Sequence, residues 1–275
     1  MRPAMGTLVH VAAIGPDSCA TQEAVDAALD DIARIERLMS FHDTASDLAR
    51  LNREAWRRPQ TVHPWTWAVV RRALRFARAS NGLFDITLAP LLIREGLLPG
   101  AVAASPECGH WRHIELLPDC RISFTRPMLL DLGGIAKGFA VDQAIFQLRK
   151  RRCTDGIVNA GGDLRCFGRV PRPIHLRRRD ALVKVAELRC GAVATSAPRT
   201  THSGRLAQPL GSIFNPHTRH AWDAGAAVMV AAPSCVVADA LTKVAALAGP
   251  ACAPLLARFG AHARWDTEPA SADWR

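Results

Sequence analysis

The fold class follows from residues 156–196, which read GIVNAGGDLRCFGRVPRPIHLRRRDALVKVAELRCGAVATS. Short apolar and β-branched runs alternate there with turn residues. The pattern predicts strands at 156–160, 163–168, 173–177, 182–188 and 191–196. No regular helical crossover separates one strand from the next. Strands that follow strands in this way favour an α+β fold with largely antiparallel sheets over a doubly wound parallel sheet.

Sequence patterns typical of helices lie on both sides of residues 156–196. Apolar residues at three- and four-residue steps predict helices at 22–39, 64–80, 137–151, 236–248 and 251–259. Thr21 is the expected N-cap of the first helix. Further strands are expected at 7–13, 226–232 and 261–265, a loop with a short helix at 40–52, and irregular chain at 94–127. Without an internal repeat or a long linker, the prediction is one domain over residues 1–275.

Composition excludes several protein classes. The chain has 275 residues, of which 49% are hydrophobic and 22% charged, and these globular values exclude a wholly disordered chain. Eight cysteines without a CxxC pair are too dilute for a disulfide scaffold. The longest apolar stretch, 224–237, is interrupted by Pro233 and Ser234. It is shorter than the roughly 20 residues of a membrane span, so no transmembrane segment is expected.

The charge balance is basic. Lys and Arg total 35 against 25 Asp and Glu, a formal net charge of +10, which attracts polyanions. The basic clusters at 149–152 and 177–179 lack the interleaved aromatic residues that stack on bases. We therefore expect a solvated basic surface and no nucleic-acid partner. A small substrate that carries phosphates also suits this charge.

The strongest local motif is DLGGIAKG at 131–138. Gly133 and Gly134 let a ligand approach the backbone, because no Cβ stands in the way. Lys137 follows at the start of a predicted helix, where free N–H groups and the helix dipole favour an anion. Asp131, placed at a strand end, can accept hydrogen bonds from a ribose, a ribityl chain or a heterocyclic N–H. The alternative is an ordinary strand–turn–helix connection.

Two weaker motifs follow. NAGGDLR at 159–165 contains a second glycine pair and places Asp163 directly after it. In the predicted helix at 236–248, Asp239 and Thr242 are three residues apart and share one face. Two oxygen ligands at that spacing can hold a hard cation such as Mg²⁺. The alternative is that Asp239 caps the first turn of its helix.

Taken together and in order, these motifs resemble the FAD:protein FMN transferases, the ApbE family. The resemblance extends from residue 5 to about residue 250. The matching segments are MGT at 5–7, MSFH at 39–42, SDLARLN at 46–52, GLFDITLAP at 82–90, DLGGIAKG at 131–138 with Asp142, NAGGD at 159–163, ATS at 194–196, IFNP at 213–216 and ADAL at 238–241.

The resemblance implies a flavin-binding enzyme with this α+β fold. Such an enzyme cleaves the diphosphate of FAD with Mg²⁺, attaches FMN through its phosphate to a Thr or Ser hydroxyl of a target flavoprotein, and releases AMP. Its implied FAD contacts are Met5, His42, Leu83, Phe84, Asp85, Asp131, Lys137 and Ile213. Its implied metal ligands are the Gly134 carbonyl, Asp239 and Thr242. Asp239, as a metal ligand, and Lys137, as a fixed charge near the diphosphate, are the candidate catalytic residues.

The chain departs from the family pattern at the residue expected to cover the flavin ring and in one loop. His42 stands where the family usually has Tyr, a residue this chain lacks altogether. SIFNPHTR at 212–219 replaces the usual HIIDPxTG. Ser212 therefore replaces the family's His, Asn215 its Asp and Arg219 its Gly.

A further departure concerns the metal. Lys243 stands where the family has a metal-binding Thr, four residues after Asp239. A charged ammonium offers no acceptor and cannot ligate Mg²⁺. Either Lys243 turns away and leaves the ion to its neighbours, or it pairs with Asp239 and neutralises the FAD diphosphate itself.

Two other functions remain open from the sequence. One is a flavin-binding relative without transferase activity, and the other is an FAD pyrophosphatase in which water replaces the protein hydroxyl. Family members often act outside the cytoplasm behind a signal or lipid anchor. Because this sequence shows no convincing signal peptide or lipobox cysteine, a cytoplasmic location is expected.

Overall fold

The protein is described here from a computed structural model, which covers residues 1–100, 107–178, 181–197, 213–222 and 227–266. Ser212 lies outside these residues. The main sheet has seven strands. Their spatial order is β1 (Arg2–Ala4), β2 (Thr7–Ile14), β6 (Asp155–Ala160), β7 (Asp163–Phe167), β10 (Gly191–Ser196), β11 (Val228–Ala232) and β12 (His262–Trp265).

Two smaller sheets complete the strand structure of the described residues. One has three strands, in the order β3 (Gln60–Thr61), β5 (Arg121–Phe124) and β4 (Ile114–Leu117), and the other is the hairpin of β8 (Arg172–Arg178) and β9 (Ala181–Leu188). Every pair of named strands is antiparallel. This confirms the predicted α+β class with largely antiparallel sheets.

The described residues form seven α-helices. They are α1 (Ser18–Met39), α2 (Asp47–Glu54), α3 (Pro64–Ala79), α4 (Ala89–Arg94), α5 (Ala136–Lys150), α6 (Cys235–Ala248) and α7 (Ala253–Ala257). Helix α5 lies between α1 and α6, and α6 packs on β10 and β11. The β8–β9 hairpin covers the opposite face of the sheet centre.

Side-chain alternation in the central strands explains this layered packing. Val228 and Val230 join the core under the helices, whereas Met229 and Ala231 join a second cluster with the β8–β9 hairpin. Successive residues of a strand point to opposite faces. Because both faces are covered, all of β11 is buried, which explains why its sequence reads as a continuous apolar run.

Helices α5 and α6 approach each other closely at Gly138. A Cβ at this position would lie 2.4 Å from the carbonyl oxygen of Cys235 and 2.7 Å from Cβ of Asp239. Only glycine leaves room for this approach. Asp142, one turn further along α5, accepts hydrogen bonds from the N–H groups of Cys235 (2.9 Å) and Val236 (3.0 Å). The first turn of α6 is thus capped by a carboxylate from α5.

The structure corrects four local predictions. The N-cap of α1 is Asp17, which accepts the Ala20 N–H at 2.8 Å, and not Thr21. Strand β1 precedes the strand that was expected to be first. Residues 94–127 are not irregular throughout, since they include β4 and β5. The helix expected at 251–259 is a 3₁₀ turn followed by the short α7, because Pro250 and Pro254 have no N–H to donate.

One described segment, Cys235–Ala257, is long and apolar enough to cross a membrane by length and composition, with a mean hydropathy of 1.5. It joins α6, the 3₁₀ turn and α7. Most residues of α6 are buried against neighbouring elements, as in the core helix of a folded domain. The expectation that the chain has no transmembrane segment therefore has only weak support.

Gly138→Ala tests the close approach of α5 and α6. The added methyl group overlaps backbone atoms of α6, so we expect the free energy of unfolding to fall by about 1–3 kcal/mol. Chemical denaturation measures it. Lys150→Ala, at the exposed end of the same helix, is the control and should change stability by less than about 0.5 kcal/mol. Equal stability of Gly138→Ala and the parent would contradict the tight packing.

Candidate functional site

The candidate site lies where the 131–134 segment, the start of α5 and the middle of α6 meet. Gly134 marks its centre. A Cβ on Gly134 would lie 3.5 Å from Cε of Lys243 and 3.7 Å from Cε2 of Phe84. Asp239, on α6, pairs with Lys243, and Lys137, on the first turn of α5, is close enough to Asp239 for the two charges to interact. Four predicted site residues, Phe84, Gly134, Lys137 and Asp239, are therefore close together, and Lys243 is among them.

Asn52 positions the 131–134 segment. Its Nδ2 donates to the Leu130 carbonyl at 3.0 Å, and its Oδ1 accepts the Leu130 N–H at 2.8 Å. The Asp131 N–H donates to the Ile86 carbonyl at 2.8 Å. Asp131 is thus not at a strand end as predicted, because a side chain and a single backbone bond replace the ladder of a sheet.

Asp131 has a partly desolvated carboxylate beside several cations. Its Oδ1 accepts the Gly133 N–H at 3.1 Å. Burial raises the pKa of Asp131, while the Gly133 N–H and the positive charges of Lys137, His42 and Lys243 oppose the rise. His42, which replaces the family's Tyr, is exposed, and it is among the groups whose charge lowers the pKa of this carboxyl.

Lys137 forms an ion pair with Asp163. Its Nζ donates to Oδ2 of Asp163 at 2.6 Å. Burial alone would lower the pKa of Lys137, but the charges of Asp239 and Asp163 outweigh it and raise the pKa. The two carboxylates therefore favour the charged ammonium form of this side chain. Because Asp163 begins β7 directly after the second glycine pair, that motif contributes an anchor for Lys137.

Asp239 is fully buried and its carboxylate oxygens have separate partners. Oδ2 accepts the Gly138 N–H at 2.9 Å, and Oδ1 pairs with Nζ of Lys243. The interpretation of Asp239 as a helix cap is wrong, because Asp142 caps α6. Although burial opposes ionisation, the positive charges of Lys243 and Lys137 and the Gly138 N–H hold the pKa of Asp239 below its usual value.

Thr242 lies on the same helix as Asp239, but its hydroxyl is bonded toward β10. Its fully buried Oγ1 donates to the Asp239 carbonyl at 2.8 Å and accepts from Oγ of Ser196 on β10 at 2.9 Å. The hydroxyl is thus used as donor and as acceptor. Lys243, and not Thr242, is the residue whose side chain borders Gly134.

Met5 lies in the β1–β2 turn, and Thr7, two residues later, contacts the second glycine pair. Met5 has a φ of 54°, and its N–H donates to Oε1 of Glu36 at 2.6 Å. A Cβ at Gly161 would lie 2.4 Å from Oγ1 of Thr7. The β1–β2 turn therefore packs on the β6–β7 turn, the turn that precedes Asp163.

The 82–90 segment has a largely internal role in this structure. Phe84 is buried and packs edge-on against Phe76 with ring centroids 6.0 Å apart, while Leu83 is partly buried against the core. The oxygens of Asp85 accept the N–H groups of Thr87 at 3.0 Å and Trp111 at 3.2 Å. Burial raises the pKa of Asp85, and these two N–H groups oppose the rise. Asp85 therefore joins its own loop to the 3₁₀ turn at Trp111–His113.

Ile213 belongs to the 212–219 segment, whose sequence differs from the family pattern. It is buried, and its carbonyl accepts the Trp222 N–H at 2.7 Å. Oδ1 of Asn215 accepts the N–H groups of His217 at 2.9 Å and Thr218 at 3.2 Å, bonds for which an amide oxygen serves as well as a carboxylate. Arg219, where the resembling family has Gly, adopts a φ of 63°. A hydrogen-bonded turn therefore forms with Asn215 and Arg219 at these positions.

Three residues with positioning roles were not recognised from the sequence: Asn52, Asp142 and Ser196. All three belong to the segments that resemble the ApbE family, which is the signal that could have identified them. The partners of Asn52 and Asp142 are 78 and 93 residues away in the chain. Ser196 ends the strand that packs on α6, and no local pattern indicated its bond to Thr242.

Comparisons with known proteins show the family and the fold of this chain. The family model described as "ApbE family" matches residues 5–264. The chain belongs to the ApbE family.

A Vibrio cholerae relative named FAD:protein FMN transferase is 26% identical over 177 residues, 60% of this chain and 53% of the relative. A Klebsiella pneumoniae relative of the same name is 28% identical over 147 residues, 50% and 46% of the two chains. The chain thus spans about half the length of these curated ApbE relatives.

Solved ApbE structures share the fold. The ApbE protein of Thermotoga maritima superposes with a TM-score of 0.78 at 26% identity, covering 95% of this chain and 91% of that one. The apo flavinyl transferase ApbE of Pseudomonas stutzeri gives a TM-score of 0.78 at 24% identity, with 96% and 88% covered. The second likeness supports the fold alone.

Asn52→Ala tests how the 131–134 segment of this ApbE chain is held. The substitution leaves an N–H and a carbonyl of Leu130 without their partners, so we expect the free energy of unfolding to fall by about 2–4 kcal/mol. Urea denaturation measures it. Arg53→Ala, at the exposed neighbouring position, is the control. If both variants lost the same small amount, the Asn52 contacts would not hold the segment.

Asp239→Asn tests the buried charge through its pH dependence. A carboxyl whose pKa is depressed in the folded state stabilises above its unfolded pKa of about 4, and loses that contribution as pH falls through the folded pKa. The parent should therefore lose stability more steeply than Asp239→Asn between about pH 4 and pH 2. Exposed Asp119→Asn is the control and should follow the parent. Parallel curves for parent and Asp239→Asn would show that Asp239 carries no depressed pKa.

Proposed function

We propose that this chain is an FAD:protein FMN transferase, which moves FMN from FAD to a Thr or Ser hydroxyl of a target flavoprotein. One observation carries the proposal: the Lys243 side chain lies 3.5 Å from the Cβ position of Gly134, and the ammonium of Lys137, at the start of α5, is held on Asp163. A diphosphate needs this combination of fixed positive charge and close backbone approach. Membership of the ApbE family, and the names of the relatives above, support the same activity.

In the proposed reaction, an oxygen of the acceptor hydroxyl attacks the phosphorus on the FMN side of the diphosphate. A new O–P bond forms, the bond from that phosphorus to the bridging oxygen breaks, and the bridging oxygen leaves with AMP. The hydroxyl proton passes to water. Negative charge develops on the leaving phosphate. Ammonium groups already fixed by ion pairs stabilise such charge without reorganising during the reaction.

The proposed FAD contacts are those implied by the resemblance: Met5, His42, Leu83, Phe84, Asp85, Asp131, Lys137 and Ile213. Asp131, with one oxygen on a local N–H, retains acceptor capacity for a ribityl hydroxyl or a ring N–H. His42 is exposed near Asp131 and is the candidate cover for the flavin ring. Phe84 and Ile213 are buried and would line the site with apolar side chains.

The residues at the expected metal position do not fit a Mg²⁺ ion as they stand. Both oxygens of Asp239 are bonded, one of them to an ammonium, and the Thr242 hydroxyl is used twice. Across the described ranges, no group of three His, Cys, Asp or Glu side chains is placed to hold a metal. We therefore assign no step of the reaction to a magnesium ion. The cytoplasmic location and the single domain over 1–275 stay predictions.

The transfer assay combines the protein with FAD and a candidate flavoprotein acceptor domain, with and without Mg²⁺. Covalent flavin is measured as fluorescence of the denatured acceptor, and AMP by chromatography. We expect one AMP per flavin attached, and a loss of at least tenfold in rate for Lys137→Met, because the fixed charge near the diphosphate is gone. Lys150→Met is the matched control. AMP without covalent flavin would indicate a pyrophosphatase.

FAD binding provides a test that needs no acceptor. If the ammonium groups bind the diphosphate, FAD should bind at least tenfold more tightly than riboflavin in a fluorescence titration. Binding of FAD without AMP release or covalent flavin, with several acceptors, would favour a flavin-binding relative that has lost the transfer. Equal affinity for FAD and riboflavin would contradict the proposed diphosphate site.

A further inference from the structure

We propose that the Lys243 ammonium is the resident cation of this site and takes the place of a divalent metal ion. The proposal rests on the function above and specifies how the diphosphate is bound. Lys243 would contact a phosphate oxygen of FAD directly, and FAD binding would be independent of Mg²⁺.

The first argument is the position of the ammonium relative to Asp239. Nζ of Lys243 donates to the Asp239 backbone carbonyl at 2.8 Å and pairs with Oδ1 of the same residue. A carbonyl oxygen and a carboxylate oxygen are the kinds of ligand that a hard cation takes. The ammonium therefore already occupies Oδ1 of Asp239, the carboxylate that the implied metal site needs.

The second argument is the space around Gly134. The Lys243 stem passes 3.5 Å from where a Cβ of Gly134 would be. The stem therefore fills the gap between Gly134 and Asp239, across which a metal ion would have to be held. A metal could enter only after the Lys243 side chain had left and the carboxylate of fully buried Asp239 had lost its ion pair.

The third argument is electrostatic. Lys137 adds a second ammonium, which is held by Asp163 at 2.6 Å. A divalent ion beside Asp239 would face like charge from Lys243 in a partly buried place, where solvent screens the repulsion weakly. For an anionic diphosphate the same two charges are attractive.

The fourth argument is the remaining hydrogen-bond capacity of Lys243. An ammonium has three donors, and two are used by Asp239. Among the residues that the structure describes, no third acceptor is recorded for Nζ. The side chain is 20% exposed, whereas Asp239 is 0% exposed. One N–H is therefore available to a ligand on the open side of the site.

The test measures metal binding and FAD binding separately. Isothermal titration of the FAD-free protein with Mg²⁺ should show no binding up to millimolar concentration for the parent. Lys243→Thr, which supplies a hydroxyl and removes the charge, should bind Mg²⁺ at least tenfold more tightly. Tight binding of Mg²⁺ by the parent, or equal binding by both proteins, would overturn the proposal. This experiment does not depend on the transfer activity.

FAD titrations in EDTA and in Mg²⁺ complete the test. The parent should bind FAD equally in both. Lys243→Met should bind at least tenfold more weakly in both, and Lys150→Met, exposed at the end of α5, should match the parent. Circular dichroism shows whether each variant is folded. Mg²⁺-dependent FAD binding by the parent would overturn the resident-cation proposal alone, whereas no FAD binding under either condition would overturn the proposed function with it.

Discussion

The buried carboxylate of Asp239 is the constraint on which the site and the helix packing depend. A carboxylate with no exposed surface costs several kcal/mol unless it is paired and hydrogen-bonded. Here the Gly138 N–H and the Lys243 ammonium provide those partners. The first of them requires α5 and α6 to touch without an intervening side chain, which explains the glycine. The same contact brings the α5 terminus, with Lys137, to the centre of the site.

The charges of the site form two neighbouring ion pairs, Lys137 with Asp163 and Lys243 with Asp239. Each pair links different elements or different turns, so the ammonium groups are held in fixed positions. A fixed charge needs no reorganisation when an anion binds, whereas an exposed lysine must be ordered at an entropic cost. The fold thus supplies positive charge where a diphosphate would lie, through carboxylates that are themselves buried.

The sequence predicted the sheet well because its strands are buried and alternate. The expected strand at 156–160 is Asp155–Ala160, and the one at 191–196 is Gly191–Ser196. Predictions failed where a tertiary contact, and not the local sequence pattern, determined the backbone conformation. Asp131 looked like the end of a strand, but its segment is held by the side chain of Asn52 from 78 residues away at Leu130. Such a contact joins distant segments and has no periodic signature.

The sequence predicted which residues belong to the site better than it predicted their hydrogen bonds and ion pairs. Motif order selected Asp131, Lys137 and Asp239, while the partner of each carboxylate depended on tertiary packing. The choice between Lys243 turning away and Lys243 pairing with Asp239 was open from the sequence, and the structure shows the pair. Thr242 was placed on the same helix face by its spacing, yet a bond from Ser196 holds it toward β10.

The most direct measurement of the resident cation is a crystal structure of the protein with FAD, grown in Mn²⁺ and recorded at the manganese absorption edge. The account predicts Nζ of Lys243 within hydrogen-bond distance of a diphosphate oxygen, still paired with Asp239, and no anomalous peak at that carboxylate. An anomalous peak between the Gly134 carbonyl and Asp239, with the Lys243 side chain displaced from the site, would contradict it.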